Sequence, residues 1–580
     1  MDRKSILGFI LIFLIIMAMP YYYKTITRSK SDPIVSADKV AGHSPSFPAK
    51  SYDSKTANTV VSPSISGETR EKEIVIETDL YRLRLTTASG GAIKNVLLKN
   101  YRSAFSKDSA LVELTAPAPA FPLQLRYISL GGDTVIVNQN FRLIAPKGQD
   151  EYFTVAGTDS LSLTFILTDA KQTLVRRVMT FYGNRYVIHL LDDLTNLRRD
   201  MAVDKYELSW EGGLNQTEVL SKDELFFSKA YALSGGESEI FDIKPGKSDQ
   251  VRFVGETRWT AFRTKYFAVA LIPERPAPGY RLSGSSTRAQ RDQHSKVFNM
   301  YLDLPVAQPT TVTVFFGPLD YTTVKGLNVD LENIMSFGWK FIRPISKAIL
   351  WCFINLHRLI PNYGWVLIIF SILIKVLLTP LTNTSMRSMK EMQKLQPQIS
   401  ALRDKYAQDP QKMNAETMRL YKEYGINPMG GCIPLLLQFP IMIALFNVFR
   451  STIELRQAGF IFWIKDLSAP DTIITLPFSI PVYGQNVNVL PILMVLSQIL
   501  QQKMSGTSGN QQQKVMMYVM TIVFFFLFNQ FPSGLNLYYT LFNVLSIVQQ
   551  KYFPPKPKPK KQRKSTIQAL RELQQRTRRR

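Results

Sequence analysis

The stretch Gly364–Leu381, GWVLIIFSILIKVLLTPL, constrains the fold more than any other. It is long and apolar enough to cross a bilayer. It holds one charge, Lys375, about 10 Å along a helix from Thr382. An ammonium at that depth is costly unless it snorkels to the interface or reaches water, a partner or a hydrated cavity. Polar side chains recur in this and later apolar segments: Ser371, Gln438, Asn447, Gln498, Asn529, Asn536 and Asn543. None of these segments contains an acidic residue to pair with Lys375. Polar groups in lipid usually face the bundle interior. The expectation is a set of helices around a wet, cationic groove that attracts acidic segments of a passing chain.

The rest of the chain divides by pattern. Ile6–Met19 is apolar, follows Arg3 and Lys4, and ends in Pro20 and three tyrosines, as an uncleaved anchor would. A cleaved signal peptide is the rival, but no convincing cleavage site follows. The linker at 24–70 is rich in Ser, Thr, Pro and Lys and lacks apolar periodicity. From 71 to 329 the period is two, as in EIVIETDLYRLRL, LSLTFIL and TVTVFF, with turns at Gly90-Gly91, Gly131-Gly132, Gly183-Asn184 and Gly212-Gly213. This predicts a large antiparallel sandwich. Its acids are dispersed, with no pair beside a histidine, so the expectation is a scaffold rather than an enzyme.

Asp330–Leu359 reads as a basic amphipathic helix at the interface, within a segment spanning 330–360. The helical core at 361–550 contains a charged hairpin at 384–425, broken at Asp409-Pro410. Met389, Met392, Leu395 and Tyr406 form a stripe on its first arm, which Pro397 should kink. Further crossings are read at Gly430–Phe449, Val489–Leu500, Val515–Phe531 and Leu535–Val548, giving six with the anchor. The fourth and sixth are short, which would thin the bilayer locally. The fold expected is therefore a multi-pass α-helical membrane protein of six transmembrane helices, five of them in the core, plus an all-β sandwich.

Charge sets the orientation. The hairpin carries eight Lys/Arg, and the tail at 551–580 carries a net +11 of the chain's +25. Positive loops face the cytoplasm, so both termini are expected there and the sandwich outside. The tail's charge suits anionic lipid or RNA phosphate, without sequence preference. Two cysteines, Cys352 and Cys432, and four scattered histidines exclude a disulfide framework and offer no metal-ligand spacing. No cofactor is expected.

Four segments carry a resemblance: NPMGGCIPLLLQFPI (427–441), QFPSGLNLYY (530–539), LQPQI (395–399) and ELRQAGFIFWIKDLS (454–468). They are similar to the signature segments of the YidC/Oxa1/Alb3 membrane insertases, over about Phe337–Lys551. Thr78-Asp79, Gly90-Gly91 and Trp259–Pro273 resemble the outer domain of the Gram-negative form more loosely. The resemblance implies an inner-membrane insertase and chaperone, not an enzyme, acting alone or with the Sec translocon on nascent membrane proteins. It puts Lys375 where an arginine is usual, keeping the charge but losing the planar fork of donors. It assigns Phe439, Pro440, Phe525 and Phe526 to the substrate-contacting face, with Tyr538 or Tyr539 as the sixth-crossing aromatic. Ordinary helix packing is the plainer use of these apolar positions. It also implies a ribosome contact through tail and hairpin. A small-solute transporter or channel is the alternative, and it predicts internal repeats that the sequence does not show.

Overall fold

The computed structural model describes residues 70–554 except 105–109, 116–120, 147–150, 170–171, 219–220, 289–293, 426–432, 481–482 and 505–510. The anchor expected at 1–23, the linker up to 69 and the tail from 555 onward lie outside the described residues.

The period-two segments form strands from Glu73 to Pro318. In Glu73–Thr78 the alternation buries Ile74, Ile76 and Thr78. The turn at Gly183-Asn184 separates Thr173–Tyr182 from Val187–Asp193, which pair antiparallel. A five-stranded sheet and a fourteen-stranded sheet result. Tyr81 of the smaller meets Phe316 of the larger edge to face at 4.9 Å, so the two share one core. This is the expected sandwich, with one departure. Glu73–Thr78 pairs parallel with Tyr152–Val155, because the strands between them supply a connection long enough to return on the same edge. A charge pair lies in the core. Arg177, fully buried, donates to both oxygens of Asp192 at 2.7 and 2.9 Å and to the Leu123 carbonyl at 2.7 Å. Such complete pairing is what lets charges sit in a dry interior.

The helices are α1 (Ser221–Phe227), α2 (Tyr321–Lys325), α3 (Arg343–Leu359), α4 (Tyr363–Lys405), α5 (Pro410–Glu423), α6 (Ile433–Ser451), α7 (Val489–Met504), α8 (Gln511–Phe528) and α9 (Ser533–Tyr552). The amphipathic helix expected from Asp330 begins only at Arg343. Asp330 and Gly338 have φ of 61° and 89°, which a continuous right-handed helix cannot accommodate. The buried face of α3 holds Ser346, Ile349, Leu350 and Phe353, and Phe353 packs on Phe370 of α4 and Phe449 of α6.

The crossing and the first hairpin arm are one helix. α4 runs 43 residues through Pro380 and Pro397 without a break. Around Pro380, the hydroxyls of Thr379 and Thr382 donate to the carbonyls of Lys375 and Leu378 at 2.7 and 2.8 Å, adding polar satisfaction inside the turn. Asp409 caps α5 by accepting from the Lys412 amide at 3.0 Å, as the Asp-Pro break suggests. Among the described residues, α4 alone is long and apolar enough to cross a membrane. α7 and the Tyr518–Phe528 part of α8 are apolar but shorter. The count of six is thus not reached here by length and hydropathy: α7 has 16 residues, and Asn536, Asn543, Ser546 and Gln549 dilute α9.

Candidate functional site

A cavity of about 320 Å³ lies between α4, α6, α7, α8 and α9. It follows α4 from Lys375 to Met389, roughly 21 Å of helix. That half of α4 is the half leading into the hairpin, remote from the end that meets the sandwich.

Lys375 is only 6% exposed. Its ammonium donates to Ser546 Oγ at 2.6 Å and stands 4.6 Å from the Phe542 ring centroid. A hydroxyl acceptor and an aromatic face are both suited to a cation in a poorly hydrated site. Gln438 Nε2 donates to the Tyr538 hydroxyl at 3.1 Å, joining α6 to α9. Gln498, Asn543 and Tyr539 also line the cavity, and no carboxylate does among the described residues.

The other expected polar residues go elsewhere. Ser371 is buried and donates to its own helix at Leu367, 2.7 Å away. Asn447 lies against Gly338, where an added Cβ would come within 2.5 Å of its amide nitrogen. Asn536 donates to the Phe528 carbonyl at 3.1 Å, closing the turn between α8 and α9. Each satisfies backbone or packs at a turn, which residue type alone does not distinguish from a groove position.

The apolar positions divide as well. Phe439 lines the cavity and Pro440 does not. On α8 the rings facing the cavity are Phe524 and Phe528, one turn apart. Phe525 and Phe526 pack on Tyr483 instead, at 5.5 and 5.9 Å. Tyr538 is buried, while Tyr539 reaches the cavity. Of the hairpin stripe, Met389 lines it and Leu395 is buried. Met392 and Tyr406 are not in its lining. Met386, Met442, Met494 and Ser546 also belong to the wall and went unread in the sequence. A signal existed for α9: Asn536, Tyr539, Asn543, Ser546 and Gln550 recur at three and four.

Two of the quoted segments dock on each other. Ser533 Oγ donates to the Asp466 carbonyl at 2.7 Å, and the Gly534 amide to Leu467 at 3.0 Å. A Cβ on Gly534 would sit 2.3 Å from the Phe449 ring, so only glycine lets α9 approach α6 this closely.

The helical half is fastened to the sandwich by charges. Arg450, at the end of α6, donates to Asp223 of α1 at 2.6 Å. Lys265 reaches the same carboxylate at 3.4 Å. Burial raises the Asp223 pKa, but Arg450 and Lys265 outweigh it and hold it below the ordinary value. Arg456 pairs with Glu218 at 2.7 Å and donates to the Arg102 carbonyl at 2.7 Å. Beside this joint, a second cavity of about 440 Å³ is lined by Asp320, Glu454 and His357 among others. Both carboxyl oxygens of Glu454 are enclosed and lack a hydrogen bond of normal geometry. Burial, then the Asp320 charge, pushes its pKa up from 4.5 to about 8.

The sign follows. The fold favours protonated Glu454, so its contribution is fully present below about 4.5 and is lost as pH rises towards about 8. Thermal stability of the purified protein is expected to fall over that interval. Glu454→Gln should flatten the fall and raise the melting temperature at pH 8. Unchanged pH dependence in the variant would show that Glu454 is charged in the folded state.

A sandwich locked onto apolar helices, with a lysine-bearing cavity in the helical half, defines a membrane protein with a large extramembrane domain. Residues 73–352 match the family described as the YidC periplasmic domain, and residues 355–560 match the 60Kd inner membrane protein. The membrane protein insertase YidC of Chlorobium luteolum is 35% identical over 565 residues, covering 95% of both chains. Those of Chlorobaculum parvum and Chloroherpeton thalassium are 34% and 35% identical over 562 and 580 residues, covering 95% of this chain and 94% and 95% of theirs. A crystal structure of an active YidC insertase with its first transmembrane domain resolved is similar over 84% of this chain and 94% of that one. Its identity is 20% and its TM-score 0.35, too loose to add to the sequence relation. The chain belongs to the YidC family of membrane protein insertases.

Proposed function

We propose that this insertase receives nascent membrane proteins in the Lys375 cavity. A hydrophobic segment lies against Phe439, Phe524 and Phe528. Lys375, Gln438, Gln498, Asn543 and Ser546 solvate the polar end that must cross. No bond is made or broken; the barrier falls because polar groups trade water for fixed donors and acceptors. The observation that carries this reading is a buried ammonium, held by a hydroxyl and a ring, in a cavity whose described lining residues include no carboxylate.

The sandwich lies in the periplasm, and both termini and the hairpin in the cytoplasm, in keeping with the positive charge of hairpin and tail. Six crossings fit that arrangement. The tail and hairpin meet the ribosome and anionic lipid through phosphate attraction. Cooperation with the Sec translocon is part of the same proposal.

Photocrosslinking tests the contact face. A ribosome-held nascent chain should crosslink strongly to probes at 439, 524 and 528, and several-fold more weakly at 525 and 526. Equal yields at all five would remove the cavity from the substrate path.

A further inference from the structure

The loop between α6 and α7 contains a β-hairpin, Thr472–Ile480 paired with Gly484–Asn488. The run from Thr472 to Asn488 has no charged residue. Three of its large apolar side chains are out in the open: Ile473 at 54%, Ile474 at 58% and Phe478 at 59% exposed. We propose that this hairpin is a membrane-surface element, its apolar side chains resting among phospholipid chains of the periplasmic leaflet above α7.

Its attachment fixes its depth. Asn529, just beyond the end of α8, donates to the hairpin carbonyls of Tyr483 and Asn486 at 3.0 and 2.8 Å. Asp471 accepts from the Val489 and Leu490 amides at the start of α7, at 3.1 and 2.8 Å. The same oxygen accepts from Trp463 Nε1 at 2.9 Å. The hairpin therefore stands on the ends of two apolar helices, on the side of the Arg456 joint with the sandwich. α7 has 16 residues, about 24 Å, against the ~30 Å of a hydrocarbon core. The apolar hairpin sits where that helix stops short.

The neighbouring loop supports the same occupant. Phe462 is 86% exposed and has φ +59°, a strained conformation for a bulky residue. It stacks on Trp463. Exposed Trp365, at the start of α4, touches Phe460 edge to face at 5.7 Å. Tryptophan at the mouth of a crossing marks the headgroup level. A protein partner would be met by a polar rim, whereas α7, the helix that follows the hairpin in the chain, exposes Leu493, Leu496 and Leu500. Strand edges cannot be left bare in hydrocarbon, so the hairpin lies flat with its side chains dipping in.

The test uses full-length protein with Cys352 and Cys432 replaced by serine, in vesicles of phosphatidylethanolamine and phosphatidylglycerol. An environment-sensitive dye is placed by Phe478→Cys, with Tyr152→Cys as the exposed sandwich control and Val376→Cys as the crossing control. The dye at 478 should be quenched several-fold more by lipids labelled near the headgroup than by lipids labelled at the chain end. Aqueous iodide should quench it several-fold less than at 152. Iodide access equal to that at 152 overturns the proposal. So does shielding from both iodide and lipid, which would mean a second copy or another protein covers the hairpin. Lipid quenching at 376 with none at 478 from either label would sink the hairpin assignment alone. Absence at both would sink the membrane reading of α4 as well.

Discussion

Lys375→Ala should slow insertion of a substrate with an acidic translocated end about tenfold, equivalent to ~1.4 kcal/mol. The fold should survive. Ser546 keeps its own bond to the Phe542 carbonyl at 2.7 Å, so losing the ammonium leaves no buried hydroxyl without a partner. What is lost is the one cation facing the cavity among its described lining residues. A matched substrate with a neutral end should insert at nearly the native rate. Lys375→Arg should restore the acidic substrate, since it returns the charge. Protease protection in proteoliposomes reads all three. If alanine slows acidic and neutral substrates alike, the residue supports packing rather than charge.

The second large effect is expected at the joint. Arg456→Ala should weaken the attachment of the helical half to the sandwich by about 3 kcal/mol, the scale for removing one member of a buried pair. Arg456 is buried, pairs with Glu218, and bonds the Arg102 carbonyl in the same reach. Burial already holds Glu218 above the ordinary carboxylate range, so it should take up a proton when its partner leaves. Amide exchange in α1 and in Thr452–Gln457 should then accelerate on the order of a hundredfold. Exchange confined to its native rate would mean that apolar packing alone carries the joint.

How much of this the sequence foretold depends on the kind of signal. Period-two alternation reflects burial on one face, so the sandwich was legible from Glu73 onward. Lys375 was legible because a charge in an apolar run has few places to go. The split between Phe525 and Phe524 was not. Four consecutive apolar residues, Phe524–Leu527, carry no phase, and only neighbouring helices decide which ring turns inward. Asn447 and Asn536 misled for the opposite reason: an asparagine near a turn serves backbone as readily as a groove. The joint was invisible because Asp223 and Arg450 are 227 residues apart. Gly338 and Asp330 show the limit for α3, where apolar spacing persisted across backbone that turns left.

The unbroken length of α4 has a mechanical corollary. Its 43 residues make a rod of about 65 Å, with Lys375 twelve residues from one end. Thirty residues of lever project beyond that point. A partner that pushes the far tip sideways would load the wall bearing the ammonium through Pro380 and Pro397, the two points at which the rod can flex. Delivery of cargo and reshaping of its receptacle would then be a single stroke.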